Sequence, residues 1–410
     1  MLNAIIIAII LFADDMMLLA SSKEELQTLL TVLLQYFAEH GLKVSTKKTK
    51  LMTFPDGEGD ITFIGDYPDS PLTLDIVSKF KYLGVKFSSQ PYKLFSDFNL
   101  SVTQKCDSFL HSLLSLTRDG PDRSFMALTM WRQIALPSIL YGVECIPLTQ
   151  NTIKKIQNTQ NQIAKYALQV PNSSANLQVI IDAGLFPIQF IICQKVLQYA
   201  NKLKFRPNHN LASVCFSHSF ATNSRYAQYV NSQLSLLNTF PHIPTNIPRA
   251  IHLAIVELLE TTLPQFSSCL VLKIPALDSL GSCKQWLNDT VQSGVYAKFR
   301  SLNCNLGNRF QTMEGFSSKI CPFCYQDGKI AQNNEIHLVI ECPIFDKIRE
   351  ETIIGPLLQR LRQNKPTATS FGLYRAIMDD QKGYQRTVGR DLVTLLDKWK
   401  ACILCIMTET

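Results

Sequence analysis

Two adjacent carboxylates, Asp14 and Asp15, separate two short apolar runs near the start of the chain. The runs cover residues 5–11 and 16–20, and continuous apolar runs of this length are typical of strands that are buried on both faces. The polar break predicts a tight hairpin turn, because carboxylates at a hairpin tip can reach one point whereas neighbours in a straight strand point to opposite faces. Such a pair can hold a divalent metal ion for phosphoryl transfer.

A second adjacent pair, Asp379 and Asp380, provides an internal comparison. It follows the apolar-rich segment 373–378 and has no flanking pair of strands. We therefore interpret it as the solvated end of a helix, so an adjacent pair of aspartates does not by itself predict a metal site.

The composition describes a globular chain with room for two or three domains, since 410 residues contain 46% hydrophobic and 18% charged residues. The net charge of +7 favours a polyanionic partner. Most of the twelve cysteines are isolated in apolar surroundings, such as Cys145, Cys193 and Cys269. Isolated buried thiols suit a reducing compartment, so we expect an intracellular protein of the nucleus or cytoplasm that is not secreted.

The apolar start of the chain does not predict a membrane anchor. Its uninterrupted run, residues 4–13, is much shorter than the roughly 20 residues that a spanning helix needs. No basic segment precedes it, as a signal peptide would require. We therefore expect no membrane partner.

Local patterns predict a mixed first part and a helical remainder. Ser22 to Glu25 has capping-box spacing, and the helix that it begins should run to about His40, with Gly41 as its C-cap. Strands are predicted at 42–45, at 51–54 after a basic run, and in a series that ends at 80–85, with a turn-rich loop at 55–59.

From about Lys93 the apolar period becomes helical. We predict that Pro137 ends or kinks one helix and that Pro171 closes another. The stretch 218–248 is interpreted as partly linker. The predicted helices cover residues 125–136, 153–168, 188–203, 229–237, 249–258 and several segments of 346–407.

Three motifs in the first part follow one another in a characteristic order. They are residues 12–15 (Phe-Ala-Asp-Asp), residues 41–49, and residues 80–84 (Phe-Lys-Tyr-Leu-Gly). Together they resemble the catalytic hairpin, the helix-to-strand motif and the primer grip in the second half of a reverse transcriptase palm of non-LTR (LINE-type) retrotransposons. The second motif departs from the family, which usually has Asn at the position of Ser45.

The resemblance implies roles for individual residues. Asp14 would bind the catalytic Mg²⁺ directly and Asp15 would support it, while Lys48 would lie near the leaving pyrophosphate. The alternative for Lys48 is a solvated lysine, because Lys47 and Lys50 compete for the same role. The primer end would be held by Tyr82, Leu83 and Gly84. The implied partners are an RNA template and a DNA primer.

Downstream, residues 136–144 and 184–187 resemble the segments next to the thumb of the same elements. Lysines on the predicted helix 153–168 would then contact phosphate, which would make the affinity for nucleic acid fall with salt. A solubilising helix face is the alternative interpretation. The lysines concerned are Lys154, Lys155 and Lys165.

A Cys-x2-Cys-x12-His-x4-Cys pattern near the C-terminal end predicts a zinc site. The two-residue gap allows both thiolates to reach one ion, and the following His and Cys complete a tetrahedral Cys3His shell that leaves no open position. Zinc would therefore be structural, and the pattern also resembles a module near the C-terminus of these retroelement proteins. The predicted ligands are Cys321, Cys324, His337 and Cys342.

The predicted fold class is α+β: a partial polymerase palm of β-hairpins plus a helix, a mostly α-helical thumb and connector, and a small zinc-binding module. The predicted domains are 1–90 (half palm), 91–187 (thumb-like), 188–300 (helical connector), 301–350 (Cys3His zinc module) and 351–410 (helical tail). No palm strand with a further aspartate precedes Met1 in this sequence. We therefore expect a truncated, RNA-directed DNA polymerase that does not polymerise alone and keeps nucleic-acid binding.

Two alternatives to this hypothesis stay open. One is a non-enzymatic, zinc-dependent nucleic-acid-binding or scaffold protein that uses the C-terminal half. The other is an incomplete reading of a longer gene, in which case polymerase activity would belong to the parent protein.

Overall fold

The computed structural model describes residues 9–45, 47–54, 74–118, 123–207, 210–239, 241–262, 290–300, 304, 306, 320–378 and 385–409. The chain divides into two compact units, Met1–Ser101 and Val102–Thr410. The architecture is mostly helical with small two-stranded sheets, so the predicted α+β class is confirmed.

The predicted hairpin around the two aspartates is present in the first unit. Strand β1 (Ile9–Phe12) pairs antiparallel with β2 (Asp15–Leu18), and Phe12 lies opposite Asp15. Only Ala13 and Asp14 lie between the strands, and the φ of Ala13 is +53°. Two-residue hairpin turns require a positive φ in order to match the strand twist, so Ala13 takes a backbone conformation that non-glycine residues rarely adopt.

The prediction that both apolar runs are buried on both faces is wrong for β1. Leu11 and Phe12 are each 63% exposed. The reason is that β1 and β2 form a two-stranded sheet among the described residues, which leaves the faces of β1 without a covering layer. In β2, Leu18 packs against a small core that is built from Leu30, Leu34, Leu51 and Leu74.

The first helix, α1 (Lys23–Glu39), begins and ends as the sequence predicts. The Ser22 hydroxyl accepts a hydrogen bond from the Glu25 N–H at 3.2 Å, as expected for an N-cap. The Glu25 carboxylate accepts from the N–H and hydroxyl of Ser21, which lowers the pKa of Glu25. At the other end, Gly41 has a φ of +65°, the left-handed conformation of a C-terminal cap.

The remaining strands of the first unit are short. Strand β3 (Lys50–Leu51) pairs parallel with β4 (Asp75–Ile76), and β5 (Lys79–Tyr82) forms an antiparallel hairpin with β6 (Val85–Ser88). The predicted strand at 51–54 shrinks to β3, and the one at 42–45 is wrong, since these residues form a loop whose Val44 packs on the core. The predicted loop at 55–59 lies outside the described residues.

Helices make up the second unit, and the division between the units falls within α2 (Pro91–Thr117). The helices that follow are α3 (Arg123–Met130), α4 (Leu136–Ile139), α5 (Gln150–Leu168), α6 (Asn176–Asp182), α7 (Ile188–Lys204), α8 (Leu211–Ala221), α9 (Arg225–Leu236), α10 (Ile247–Thr262), α11 (Thr290–Arg300), α12 (Pro322–Gln326), α13 (Asp346–Glu351), α14 (Ile354–Asn364), α15 (Ser370–Met378) and α16 (Gln385–Glu409).

Pro137 changes the helix in a way that the sequence does not predict. A π-helical turn, Trp131–Ala135, joins α3 to α4, and the Leu136 N–H donates to the Trp131 carbonyl five residues earlier. Proline cannot donate to the carbonyl four residues before it, and a wider turn accommodates that missing bond. The helical path therefore continues through Pro137.

The interpretation of 218–248 as partly linker fits residues 237–239 and 241–246, but helices occupy more of the stretch than the one predicted at 229–237. Helices α8 and α9 occupy residues 211–221 and 225–236. The sequence does not predict α8 because its apolar residues lie on all sides and Ser213 is its buried residue. Short α6 is a further helix that the sequence does not predict.

Two further predictions concern membrane spans and the setting of the cysteines. None of the helices is both long enough and apolar enough to cross a membrane among the residues described. Cys193 is a buried free thiol, and burial raises its pKa to about 12. Cys145 is exposed, contrary to the prediction of an apolar setting, and Cys269 lies outside the described residues.

Candidate functional site

The predicted zinc ligands come together at one buried point of the second unit. Two backbone hydrogen bonds fold the twelve-residue gap back on itself, from the Cys321 N–H to the Ala331 carbonyl and from the Lys329 N–H to the Cys324 carbonyl, each 2.8 Å long. An isolated bridge between Ile320 and Gln332 completes this turn. The two cysteines flank the start of α12 and face the π-helical turn His337–Glu341.

The distances within the cluster fit a single tetrahedral ion. All four ligand atoms of Cys321, Cys324, His337 and Cys342 lie within 4.8 Å of one another. The Sγ atom of Cys342 lies 4.0 Å from that of Cys321 and 3.9 Å from that of Cys324. Two sulfurs bound at about 2.3 Å to one tetrahedral zinc ion lie about 3.8 Å apart. The cluster can therefore hold zinc, and its four protein ligands leave no position for a substrate.

Hydrogen bonds within the cluster shift the pKa values of Cys321 and His337 in opposite directions. The Cys342 thiol donates a hydrogen bond to Cys321 that, against the effect of burial, lowers the pKa of Cys321. A lowered pKa favours the thiolate, the form in which cysteine binds a metal. Desolvation opposes the charged form of His337, but hydrogen bonds with Cys321 and Glu341 outweigh it and raise the histidine pKa.

A carboxylate orients the histidine ligand. The Nδ1 atom of His337 lies 3.2 Å from Glu341 Oε2, while Nε2 lies 3.2 Å from Cys324 Sγ. A carboxylate on the outer nitrogen selects the tautomer that directs the inner nitrogen toward the metal. The Ser370 side chain, at the start of α15, hydrogen-bonds to Glu341 and lowers its pKa. This support thus crosses the boundary predicted at residue 350.

Arg349 binds the backbone next to the cluster. Its guanidinium is buried and donates to the carbonyls of Leu338 and Cys342, at 2.9 and 2.6 Å, and to the Asp346 carboxylate at 2.5 Å. Carbonyls at the C-terminal end of a helical turn have no partner within the turn. Arg349 therefore binds the backbone beside two ligands, His337 and Cys342.

Replacing Arg349 with methionine should weaken the cluster without removing a ligand. We expect a loss of about 1–3 kcal/mol in stability, because the two carbonyls lose their buried donor. The affinity for zinc should fall by about 10- to 100-fold, as for other outer-shell groups. Competition with a chromophoric chelator measures this affinity.

Asp346→Asn provides the matched control for this experiment. The Asp346 side chain is 66% exposed, and its replacement leaves both hydrogen bonds from Arg349 to the carbonyls in place. We expect less than a threefold change in zinc affinity. Equal effects of Asp346→Asn and Arg349→Met would show that the carbonyl bonds do not position the ligands.

The first hairpin, β1–β2, exposes its two aspartates to solvent. Asp14 lies in the turn and Asp15 begins β2, and both are exposed. Within the described ranges, no group of three or more metal-binding side chains includes either residue. The hairpin thus presents two carboxylates on one tip, and no third ligand lies beside them in the part of the chain that the structure describes.

The second hairpin contains the residues predicted to hold the primer. Tyr82 ends β5 opposite Val85, and Leu83 and Gly84 form the turn with φ values of +46° and +83°. Two successive positive φ values define the turn type that best fits a two-residue hairpin, and Gly is favoured there. The Tyr82 hydroxyl is buried and lacks a hydrogen-bond partner among the described residues.

The hairpins lie in the segment for which a family match exists. Residues 2–87 match the family model of reverse transcriptase (RNA-dependent DNA polymerase). A search of curated proteins found no match. The reverse transcriptase match covers both hairpins, Asp14, Asp15 and Lys48, and it ends inside β6.

Three lysines within residues 2–87 compete for one predicted role, and they differ in their surroundings. Lys50 Nζ lies 2.5 Å from Asp75 Oδ2, across the parallel pair of β3 and β4. Lys47 and Lys48 are exposed in the turn before β3. Lys50 is therefore engaged in the sheet, whereas Lys48 keeps its ammonium in solvent.

Beyond residues 2–87, two of the three lysines that the sequence predicts to contact phosphate have partners within the protein. Lys155 Nζ lies 2.6 Å from Asp107 Oδ1, and Lys165 Nζ donates to the Asn172 carbonyl at 2.6 Å. Desolvation also lowers the pKa of Lys165. Lys154 is exposed on the same helix, which leaves it as the lysine of the three that is best placed for phosphate.

The polar residues of α5 have a structural role that the sequence does not predict. Gln160 is fully buried, accepts from Trp131 Nε1 at 3.1 Å and donates to the Phe186 carbonyl at 2.9 Å. Gln157 accepts from the Ile188 N–H at 2.8 Å. These side chains hold the turn before α7, and the signal that could have revealed them is their position on the apolar face of the helix.

Proposed function

We propose that residues 2–87 are part of the palm of a non-LTR retrotransposon reverse transcriptase and that the chain binds nucleic acid. The observation that carries the proposal is the family match over 2–87, which coincides with the hairpin that presents Asp14 and Asp15. RNA as template and DNA as primer follow from the family. Further support comes from the net charge of +7, which favours a polyanionic partner.

Within this proposal, each hairpin has its own role. Asp14 would bind Mg²⁺ directly and Asp15 would support it, and Lys48 would stabilise the leaving pyrophosphate. The hairpin of Tyr82, Leu83 and Gly84 would hold the primer end. The tip of the first hairpin is exposed, so a ligand can reach both aspartates from solvent without a rearrangement of the hairpin.

We infer that the described residues do not form a complete polymerase site. Two-metal phosphoryl transfer needs ligands on both sides of the ions, and two carboxylates on one exposed turn supply one side. No third metal-binding side chain joins them among the described residues. The chain alone would therefore bind primer and template without extending the primer.

Primer extension tests this inference directly. The 410-residue chain is incubated with an RNA template, a labelled DNA primer, Mg²⁺ and deoxynucleotides, beside an Asp14→Ala variant. We expect no extension by either protein. Extension by the parent chain that Asp14→Ala abolishes would overturn the inference of inactivity and would strengthen the assignment of Asp14.

A second candidate function is that of a zinc-dependent nucleic-acid-binding or scaffold protein. The observation in its favour is the buried Cys3His geometry, since a closed shell stabilises a fold and leaves no site for chemistry. Mg²⁺ separates the two candidates. Binding of a primer–template that strengthens with Mg²⁺ and weakens in Asp14→Asn favours the palm, whereas binding that is indifferent to both favours the scaffold.

A further inference from the structure

Acidic residues are almost absent from one long stretch of the second unit. Between Glu144 and Glu257 the sequence contains one acidic residue, Asp182. The same stretch contains nine lysines and arginines, at positions 154, 155, 165, 195, 202, 204, 206, 225 and 249. The charge of the whole chain, +7, is therefore concentrated in these helices.

The one acidic residue of this stretch does not offset the positive charge at the surface. Asp182 is buried, and its Oδ1 atom lies 3.0 Å from both Nε and Nη2 of Arg300. This ion pair neutralises the carboxylate inside the protein. The exposed charges that this stretch itself contributes are consequently of one sign, which attracts polyanions.

An exposed aromatic ring lies among these positive charges at the end of α7. Phe205 is 75% exposed, and Lys202 and Lys204 are also exposed. The ammonium of Lys204 lies 5.9 Å from the centroid of the Phe205 ring. Arg206, half-buried, follows directly. We call the four side chains of Lys202, Lys204, Phe205 and Arg206 the Phe205 patch.

Core packing and hydrogen bonds fix the backbone at the end of α7, which carries this patch. Leu203, between the two lysines, is 5% exposed and anchors the last turn of α7 in the core. The Phe205 N–H donates to the Asn201 carbonyl at 3.3 Å, and the Arg206 carbonyl accepts from the Ser213 hydroxyl at 3.4 Å. Hydrogen bonds at Phe205 and Arg206 thus fix the helix end from which the ring extends into solvent.

We propose that the Phe205 patch binds single-stranded nucleic acid, with one base stacked on Phe205 and adjacent phosphates held by Lys202, Lys204 and Arg206. Every base has a π-face that stacks on an aromatic ring, and basic side chains track the phosphate backbone. Single strands fit because their bases are free to stack, whereas the bases of a duplex are stacked on one another. The proposal rests on the proposed nucleic-acid-binding function, but it uses none of the palm residues.

Fluorescence anisotropy with a labelled 12-nucleotide oligo(dT) or oligo(U) tests the patch on the full chain. Phe205→Ala should weaken binding by roughly 5- to 100-fold, and Phe205→Trp should retain it. Lys202→Gln combined with Lys204→Gln should also reduce the slope of log affinity against log salt by about 1.4. The two kinds of variant thus separate stacking from charge.

Controls match each kind of change. Leu253→Ala removes another exposed apolar side chain of the second unit, 59% exposed on α10. Lys347→Gln with Lys398→Gln removes two exposed lysines outside the acid-poor stretch. We expect less than a twofold change in affinity from the first control and from the second a change well below that of the patch lysines.

The possible outcomes are distinct. If the parent chain binds neither oligonucleotide nor primer–template, the proposed function itself fails. If it binds and Phe205→Ala leaves the affinity unchanged, the Phe205 patch alone is excluded. If the patch variants lower binding to vesicles with 30% phosphatidylserine and not to oligonucleotides, the partner is an anionic membrane surface and this proposal is overturned.

Discussion

Cys342→Ser should abolish stoichiometric zinc binding and unfold the region around the cluster. The parent chain should contain about one zinc per molecule when purified without chelator. Loss of one ligand opens the shell and leaves two thiol groups and an imidazole buried without the ion that would bind them. Structural zinc sites supply roughly 10–16 kcal/mol of apparent free energy, far more than the net stability of a typical domain.

Metal analysis and hydrogen exchange measure these two effects. Amides of residues 320–345 should lose protection in Cys342→Ser, and in the parent chain after treatment with EDTA. Helix α9 lies outside the cluster and serves as an internal reference in the same experiment. Re-addition of zinc should restore the protection in the parent chain alone.

Cys215→Ser is the matched control because it removes an exposed free thiol that is not part of the cluster. It should leave the zinc content and the protection of residues 320–345 unchanged. A parent chain without bound zinc, or a Cys342→Ser variant that keeps it at full occupancy, would contradict the assignment of the cluster as a zinc site.

The second large effect is expected at the buried ion pair between Asp182 and Arg300. The two residues are separated by 118 positions and join α6 to α11. Arg300 also donates to the Tyr296 hydroxyl at 3.4 Å and to the Met378 carbonyl, which ties in the end of α15. Arg300→Met would leave the Asp182 carboxylate buried with Gln178 as its remaining donor.

We expect Arg300→Met to lower the free energy of unfolding by about 3–5 kcal/mol, the usual cost of an uncompensated buried charge. The midpoint of urea denaturation measures this loss. Adding Asp182→Asn to Arg300→Met should recover part of it, because the second change removes the unpaired charge. Failure of the double variant to recover any stability would mean that packing, rather than charge, dominates the effect.

Lys195→Met tests whether burial of the Asp182–Arg300 pair accounts for the large loss of stability expected from Arg300→Met. Lys195 and Glu144 form an ion pair at 3.0 Å, but their side chains are 36% and 26% exposed. Solvent screens such a pair, so its loss should cost less than about 1 kcal/mol. Comparable losses from Lys195→Met and Arg300→Met would contradict the argument from desolvation.

Local sequence patterns predict those parts of the fold that local forces stabilise. The cap of α1 at Ser22 and its end at Gly41 involve bonds between residues at most a few positions apart. The ligands of the cluster follow from spacing as well, because a two-residue gap brings Cys321 and Cys324 to one ion. Such features need no knowledge of distant contacts.

Burial and pairing, in contrast, depend on contacts between distant residues. An apolar run looks the same in a covered strand as in the open strand β1, so the sequence could not show that Leu11 and Phe12 stay exposed. Likewise, nothing in the helical pattern of α5 distinguishes exposed Lys154 from Lys155, which pairs with Asp107 on α2.

By itself, the sequence determined the chemical identity of the two candidate sites: paired aspartates between apolar runs, and three cysteines and a histidine at zinc-binding intervals. The tertiary structure decided what surrounds them. It leaves the aspartates on an exposed tip, and it encloses the cluster with Arg349, Glu341 and the helices that follow. The physical reason is that ligand type and spacing are covalent properties of the chain, whereas desolvation of a charge depends on which distant groups fold against it.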